Sequence, residues 1–195
     1  MHATRPLPEG DAVRYVIDAK GSTFVAQVFA TGLLSAFGHS PKIAIRNYHG
    51  EVSFTLAGST LEAGQVNITV QAESLEVADD ISEKDRQEIH RKMCEEVLET
   101  NRFPEIVYAC SRVSASGSSD RYWVALNGEL TLHGVTRSLP VSARVVINGD
   151  SVRATGEFSV RQSDYDIAPV SAAAGAIKVK DEVKCNFDIV ARKQE

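Results

Sequence analysis

Apolar and polar residues alternate along most of this chain with a period of two. In "VNITVQAE", Val66, Ile68, Val70 and Ala72 alternate with Asn67, Thr69, Gln71 and Glu73. In "YWVALNGELTL", Tyr122, Val124, Leu126, Gly128, Leu130 and Leu132 share one side. In "IKVKDEVKCNFDIV", Ile177, Val179, Val183, Cys185, Phe187 and Ile189 face one way, while Lys178, Lys180, Glu182, Lys184, Asn186 and Asp188 face the other. Successive side chains of a strand point to opposite faces, so the pattern predicts antiparallel strands with one covered and one wet face. Rougher runs near 14–18, 22–30, 42–57, 105–113, 139–147 and 151–161 bring the count to roughly eight or nine strands. Gly149 in "NGD" at 148–150 marks a tight hairpin.

One segment breaks the period. From Ser82, "SEKDRQEIHRKMCEEVLET" spaces Ile89, Met93 and Val97 four residues apart, with Cys94 and Leu98 beside them. That is a narrow helical stripe. Ser82 with Asp85 resembles a capping box, and Pro104 forbids the helix from running on. Such a helix is expected to lie against the sheet or to plug one end of a barrel. "SASGSSD" at 114–120 reads as a hairpin loop by composition; "SAAAGA" at 171–176 fits either a loop or a place of close packing. No repeat or linker divides the chain, which predicts one domain over 1–195 with its core at about 15–190 and an N-terminal tail at 1–12. The fold class is therefore all-β with one inserted helix. Many antiparallel strands with one apolar face close into a barrel or pair as a sandwich, and the alternation alone fits both.

Composition adds exclusions. The formal charge is -5, the opposite of the basic surface that a nucleic-acid partner needs. No apolar run approaches the roughly 18 residues of a membrane-spanning helix. The start "MHATRPLPEGDA" lacks a charged-then-apolar leader, so a cytoplasmic protein is expected. Cys94, Cys110 and Cys185 are odd in number and widely spaced, as reduced packing residues would be.

Candidate chemistry is sparse. His2, His39, His49, His90 and His133 form no metal-binding spacing, and no GxSxG elbow, Walker loop or GxGxxG is present. No cofactor is expected. His39 and His133 each sit beside a glycine at an expected strand end; turn residue, head-group contact and catalytic base are all open for them. The covered face is rich in Val, Ile, Leu and Ala, which leaves room inside a barrel. A long aliphatic ligand burying about 500 Å² there would gain on the order of 12 kcal/mol before the cost of immobilisation. A core filled by its own side chains fits the composition equally.

Several stretches together resemble the YceI-like family: "YVIDAKGSTFVAQV" (15–28), "GEVSF" (50–54), "RFPEIVY" (102–108), "LNGELTLHGVTRSLPV" (126–141), "GEFSVRQSDYDI" (156–167) and "VKDEVKCNFDIV" (179–190). "GELTLHGVTR" is the most specific of them. The resemblance implies a lipocalin-like eight-stranded antiparallel barrel that binds a polyisoprenoid, quinone or similar long-chain amphiphile along its axis, often as a homodimer. It implies no established catalytic activity. Two positions depart from the family pattern. Ala30 and Thr31 stand near the place of a usual histidine, with His39 further on, and Asp166 replaces a usual glycine. An acidic Asp166 at the mouth would favour a neutral head such as a quinone over a pyrophosphate. The interior candidates are Phe24, Phe54, Tyr108, Leu126, Leu130, Phe158, Tyr165 and Phe187. The polar candidates at an opening are His39, His133, Arg161 and Asp164, with Arg161 paired either to a phosphate or to Asp164. The alternatives are a hydrolase or isomerase using His133 or His39 as base, and a filled-core stress or interaction protein.

Overall fold

The computed structural model describes residues 12–31, 40–57, 60–168, 171–172 and 177–194. Thirteen strand segments lie within them: β1 (Val13–Ile17), β2 (Thr23–Thr31), β3 (Lys42–Ile45), β4 (Tyr48–Ala57), β5 (Thr60–Gln71), β6 (Leu75–Val77), β7 (Glu105–Cys110), β8 (Val113–Ser118), β9 (Arg121–Leu132), β10 (Val135–Asn148), β11 (Ser151–Arg161), β12 (Ser171–Ala172) and β13 (Ile177–Lys193). The helix α1 spans Glu83–Lys92 and runs on into a wider π turn at Met93–Val97.

The registers show that three pairs of segments are single kinked strands. Val25 faces Ala44 and Tyr15 faces Val52, so β1 with β2 runs beside β3 with β4. Ile43 faces Val77 and Tyr48 faces Val70, so β5 with β6 comes next. Merging them, counting β7 and β8 as one stave along β9 and setting aside the two-residue β12, leaves eight staves in chain order: 13–31, 42–57, 60–77, 105–118, 121–132, 135–148, 151–161 and 177–193. Each pairs antiparallel with the next, and β13 returns to pair with both β1 and β2. The ring is a closed eight-stranded up-and-down barrel, which leaves no long edge unpaired. Of the two architectures the alternation fits, barrel and sandwich, the chain forms the barrel.

Two of the kinks have a visible cause. Between β1 and β2, the Ser22 hydroxyl donates to the Asp18 carbonyl (2.7 Å) and accepts from the Val190 amide (2.8 Å). The Asp18 carboxylate accepts from the Gly21 amide and pairs with Arg192 at 3.0 Å. The stretch "IDAKGS" thus fastens a one-turn 3-10 kink to the last stave. A second 3-10 turn at Ala72–Ser74 separates β5 from β6. Ser74 holds it by donating to the Gln71 carbonyl at 2.7 Å.

The helix begins as expected, with the Ser82 hydroxyl accepting from the Asp85 amide at 3.1 Å. It ends before Pro104 can stop it: Glu99 adopts φ 45°, and the Thr100 amide returns to the Cys94 carbonyl. Arg86 anchors it to the barrel rim by donating to the carbonyls of Val77 and Asp79. The segment 114–120 corrects its reading as a loop. Residues through Ser118 form β8 against β9, and the turn is left to Ser119 and Asp120. Small side chains suit that strand because Gly117 lies where a Cβ would meet the Arg121 carbonyl at 2.2 Å.

The topology sorts the connections into two ends. The helix, the His133–Gly134 turn and the 3-10 turn Gln162–Tyr165 lie at one end; the 118–121 and 148–151 hairpins lie at the other. These are called the helix end and the hairpin end below. No helix among the described residues is long and apolar enough to cross a membrane.

Candidate functional site: the barrel interior

The inward positions do not fill the barrel. They enclose a cavity of about 520 Å³ that reaches from Leu61, Val113 and Val152 near the hairpin end to Ile89, Met93 and Val97 under the helix. In staves 5 to 8 its wall keeps the sequence alternation: Leu126 and Leu130, then Leu139 and Val141, then Phe158 and Val160, then Cys185 and Phe187. Among the described residues, the polar members of the wall are Lys92, Gln162 and the Tyr108 hydroxyl, with Ser53 and Gln65 bordering it at positions that alternate with the inward Val52, Phe54 and Val66. An apolar, roomy, mostly enclosed interior of this size is the ordinary form of a small-molecule site.

Two glycines shape the wall. A Cβ on Gly128 would sit 2.5 Å from the Tyr108 ring, and one on Gly156 would sit 2.6 Å from the Phe187 ring. Both rings therefore lie flat across a neighbouring strand instead of crossing the bore. The Tyr108 hydroxyl donates to the Leu139 carbonyl at 3.2 Å, and burial raises its pKa. Burial alone pushes the Cys185 thiol up to about 12, so it stays a neutral part of the apolar wall.

Seven interior candidates, Phe24, Phe54, Tyr108, Leu126, Leu130, Phe158 and Phe187, are in the cavity wall. Tyr165 is not; it is buried in the 3-10 turn beside the wall, where Ile167 takes the inward place. His39 lies outside the described residues. His133, Arg161 and Asp164 are described, and none of them lines the cavity. The reason in each case is a contact from a distant part of the chain. Arg161 pairs with Asp181 at 3.6 Å, not with Asp164. Asp164 is exposed, and its backbone carbonyl accepts from Arg137 Nε at 3.2 Å. Asp166 takes φ 57°, the left-handed conformation that a glycine adopts without cost; its side chain is exposed, and it too is absent from the wall.

His133 serves the rim. It takes φ 52° and Gly134 takes φ 75°, the two left-handed residues of a tight hairpin. Nδ1 donates to the Tyr165 carbonyl at 3.2 Å, Nε2 lies 3.6 Å from Glu99 Oε1, and the ring rests on Phe103 at 4.5 Å between centroids. A histidine acting as general base is commonly oriented by a carboxylate, and Glu99 stands in that position beside His133. Its ring is nonetheless shut in among three loops, away from the cavity. Among the described residues, no three His, Cys, Asp or Glu side chains converge as metal ligands.

The sequence "RQSD" has a related duty. Gln162 Nε2 donates to the Lys180 carbonyl at 2.9 Å, and Ser163 gives both its amide (2.8 Å) and its hydroxyl (2.6 Å) to the Asp181 carboxylate. Together they clamp the irregular stretch of β13 between Val179 and Val183, where its register with β2 shifts. Lys92 and Gln162 are wall residues that alternation could not announce. Lys92 stands on the shoulder of the Ile89–Met93 stripe, which is the one signal the sequence offers for it.

The chain belongs to the YceI-like domain family, which matches residues 15–191. A UPF0312 protein of Shewanella baltica is 30% identical over 172 residues, covering 83% of this chain and 82% of its own length. Two solved structures share the fold. Burkholderia cenocepacia BcnA has a TM-score of 0.67 at 18% identity, covering 89% of this chain and 98% of its own. A polyisoprenoid binding domain from Saccharophagus degradans has a TM-score of 0.66 at 13% identity, covering 93% and 99%.

Proposed function

We propose that this protein binds a long-chain, isoprenoid-like amphiphile inside its barrel, for sequestration or transport. The observation that carries the reading is the cavity of about 520 Å³ with an almost wholly apolar wall. The related Saccharophagus domain, described as polyisoprenoid binding, supports the ligand class. The seven aromatic and leucine wall residues named above would contact the chain. We assign the protein to a reducing compartment, a reading supported by the three cysteines, all free and buried.

The test fills the cavity. Ala143 lines it and is 3% exposed. In a hollow barrel, Ala143→Phe is expected to keep the far-UV circular dichroism and melting behaviour of the parent while losing a bound polyprenol in native mass spectrometry. A filled core would instead be overpacked, at a cost of about 1–3 kcal/mol in urea unfolding. That destabilisation, with no amphiphile retained by the parent protein, would overturn the reading.

A further inference from the structure

Within the cavity wall, charge and size are both restricted. Lys92 is the one ionised side chain among the described lining residues. It ends α1, between the lining residues Ile89 and Met93, and its side chain is 43% exposed. Its stem therefore lies on the apolar wall while its ammonium reaches the rim, as long cationic side chains do at such boundaries. The ammonium is held 3.2 Å from Glu88 Oε1, one helical turn back. An exposed pair of this kind is weak and yields readily to a better acceptor. The remaining polar wall groups offer no cation. Ser53 and Gln65 are neutral and lie toward the hairpin end, and the Gln162 amide nitrogen is engaged by the Lys180 carbonyl.

Size sets the second restriction. An apolar cavity of about 150 Å³ takes one benzene, or roughly 25 Å³ per carbon. At that scale the cavity of about 520 Å³ takes roughly 20 carbon atoms.

We infer, building on the proposed carrier function, that the ligand is a single-tailed amphiphile of roughly 20 carbons whose anionic oxygen head, a carboxylate or phosphate monoester, is held by Lys92 at the helix end. The tail runs toward the hairpin end. This replaces the neutral head that an acidic mouth would favour, because Asp166 lies outside the wall and the charge that lines it is positive.

The experiment is calorimetric titration of the delipidated full chain with geranylgeraniol, geranylgeranoic acid, geranylgeranyl phosphate and a polyprenyl phosphate of twice that length. Acid and phosphate are expected to bind roughly tenfold more tightly than the alcohol, the size of one charge-assisted hydrogen bond. The tighter of the two identifies the head. Lys92→Met should erase that preference, bringing acid and phosphate down to the affinity of the alcohol. Glu88→Gln, which frees the ammonium, should tighten the anions by roughly two- to fivefold. Equal binding of acid and alcohol by the parent, or a preference that survives Lys92→Met, overturns the head assignment. A double-length chain that binds as well overturns the size limit. Failure of all four by the parent protein, the alcohol included, counts instead against the carrier reading, since the alcohol carries no charge for Lys92 to hold.

Discussion

The two ends of the barrel solve the same problem differently. At the hairpin end, strands are joined by short turns whose side-chain contacts are local: Ser151 Oγ donates to the Asn148 carbonyl and the Tyr122 hydroxyl to the Ser119 carbonyl, and the ties from further along the chain are backbone bonds, from Ile147 to the Asp120 carbonyl and from Lys193 to the Asp150 carbonyl. At the helix end, the turns are held by partners far along the chain. His133 meets Tyr165, Glu99 and Phe103, and Ser163 meets Asp181. The hairpin end closes because its neighbours are connected. The helix end is assembled, and that is the end where the cavity meets Lys92, the one charged residue among the described members of its wall. A rim built from separate loops can differ between relatives while the staves below it stay the same.

Two glycines isolate this difference. Gly134 and Gly149 both have positive φ, at 75° and 55°, and both sit in two-residue hairpin turns. A Cβ on Gly134 would lie 2.6 Å from the Phe103 ring, whose faces are already occupied by His133 and the Arg102 guanidinium; a Cβ on Gly149 meets nothing within 4 Å. Gly134→Ala is therefore expected to cost about 2–4 kcal/mol, backbone strain plus overpacking, and Gly149→Ala about 1 kcal/mol from strain alone. Urea unfolding of the two variants measures the gap. Equal costs would show that the helix-end turn is as independent of its surroundings as the other. A smaller effect is expected at the next residue. His133→Ala removes the Tyr165 hydrogen bond and the Phe103 contact, for about 1–2 kcal/mol, with ligand affinity unchanged because the ring is outside the cavity. A fall in affinity without a fall in stability would return His133 to the site.

The same division governs what the sequence made legible. Along staves 5 to 8 one parity holds from end to end, so Leu126, Leu130, Phe158 and Phe187 were readable as inward residues from alternation alone. In the first three staves the inward parity changes at the kinks. Ile17 and Phe24 both line the cavity, as do Ile45 and Val52, and Val70 and Leu75. A one-residue slip exchanges the faces of a strand, and a 3-10 turn or bulge introduces that slip with no periodic signal. The described polar candidates stand outside the wall for another reason. His133, Arg161 and Asp164 are conspicuous by type and position, but the first two side chains are taken by Glu99 and Asp181 and the Asp164 backbone carbonyl by Arg137, which no local spacing reveals. Lys92 went unnoticed in turn because a lysine on a helix shoulder looks like solvated surface until the barrel mouth is placed beneath it.

One feature should behave alike at both ends and differ only in its response to salt. The Ser163 hydroxyl and amide, with Arg161 nearby, hold the Asp181 carboxyl below the usual carboxylate range. Toward the hairpin end, Arg192 first and then the Gly21 amide do the same for Asp18. A carboxylate whose folded pKa is depressed contributes stability that is complete above its unfolded pKa and disappears as pH falls through the folded one. Asp181→Asn and Asp18→Asn should thus each lower stability at neutral pH, and each deficit should vanish below the carboxylate range in unfolding curves taken across acid pH. Salt then separates them. The Asp18 shift comes chiefly from an ion pair with Arg192, which mobile ions screen, whereas the Asp181 shift comes chiefly from the neutral donors of Ser163. Raising ionic strength at neutral pH should shrink the Asp18→Asn deficit and leave most of the Asp181→Asn deficit in place. If both shrink together, Arg161 rather than Ser163 holds Asp181, and the helix-end clamp is electrostatic instead of a fixed hydrogen-bonded tie.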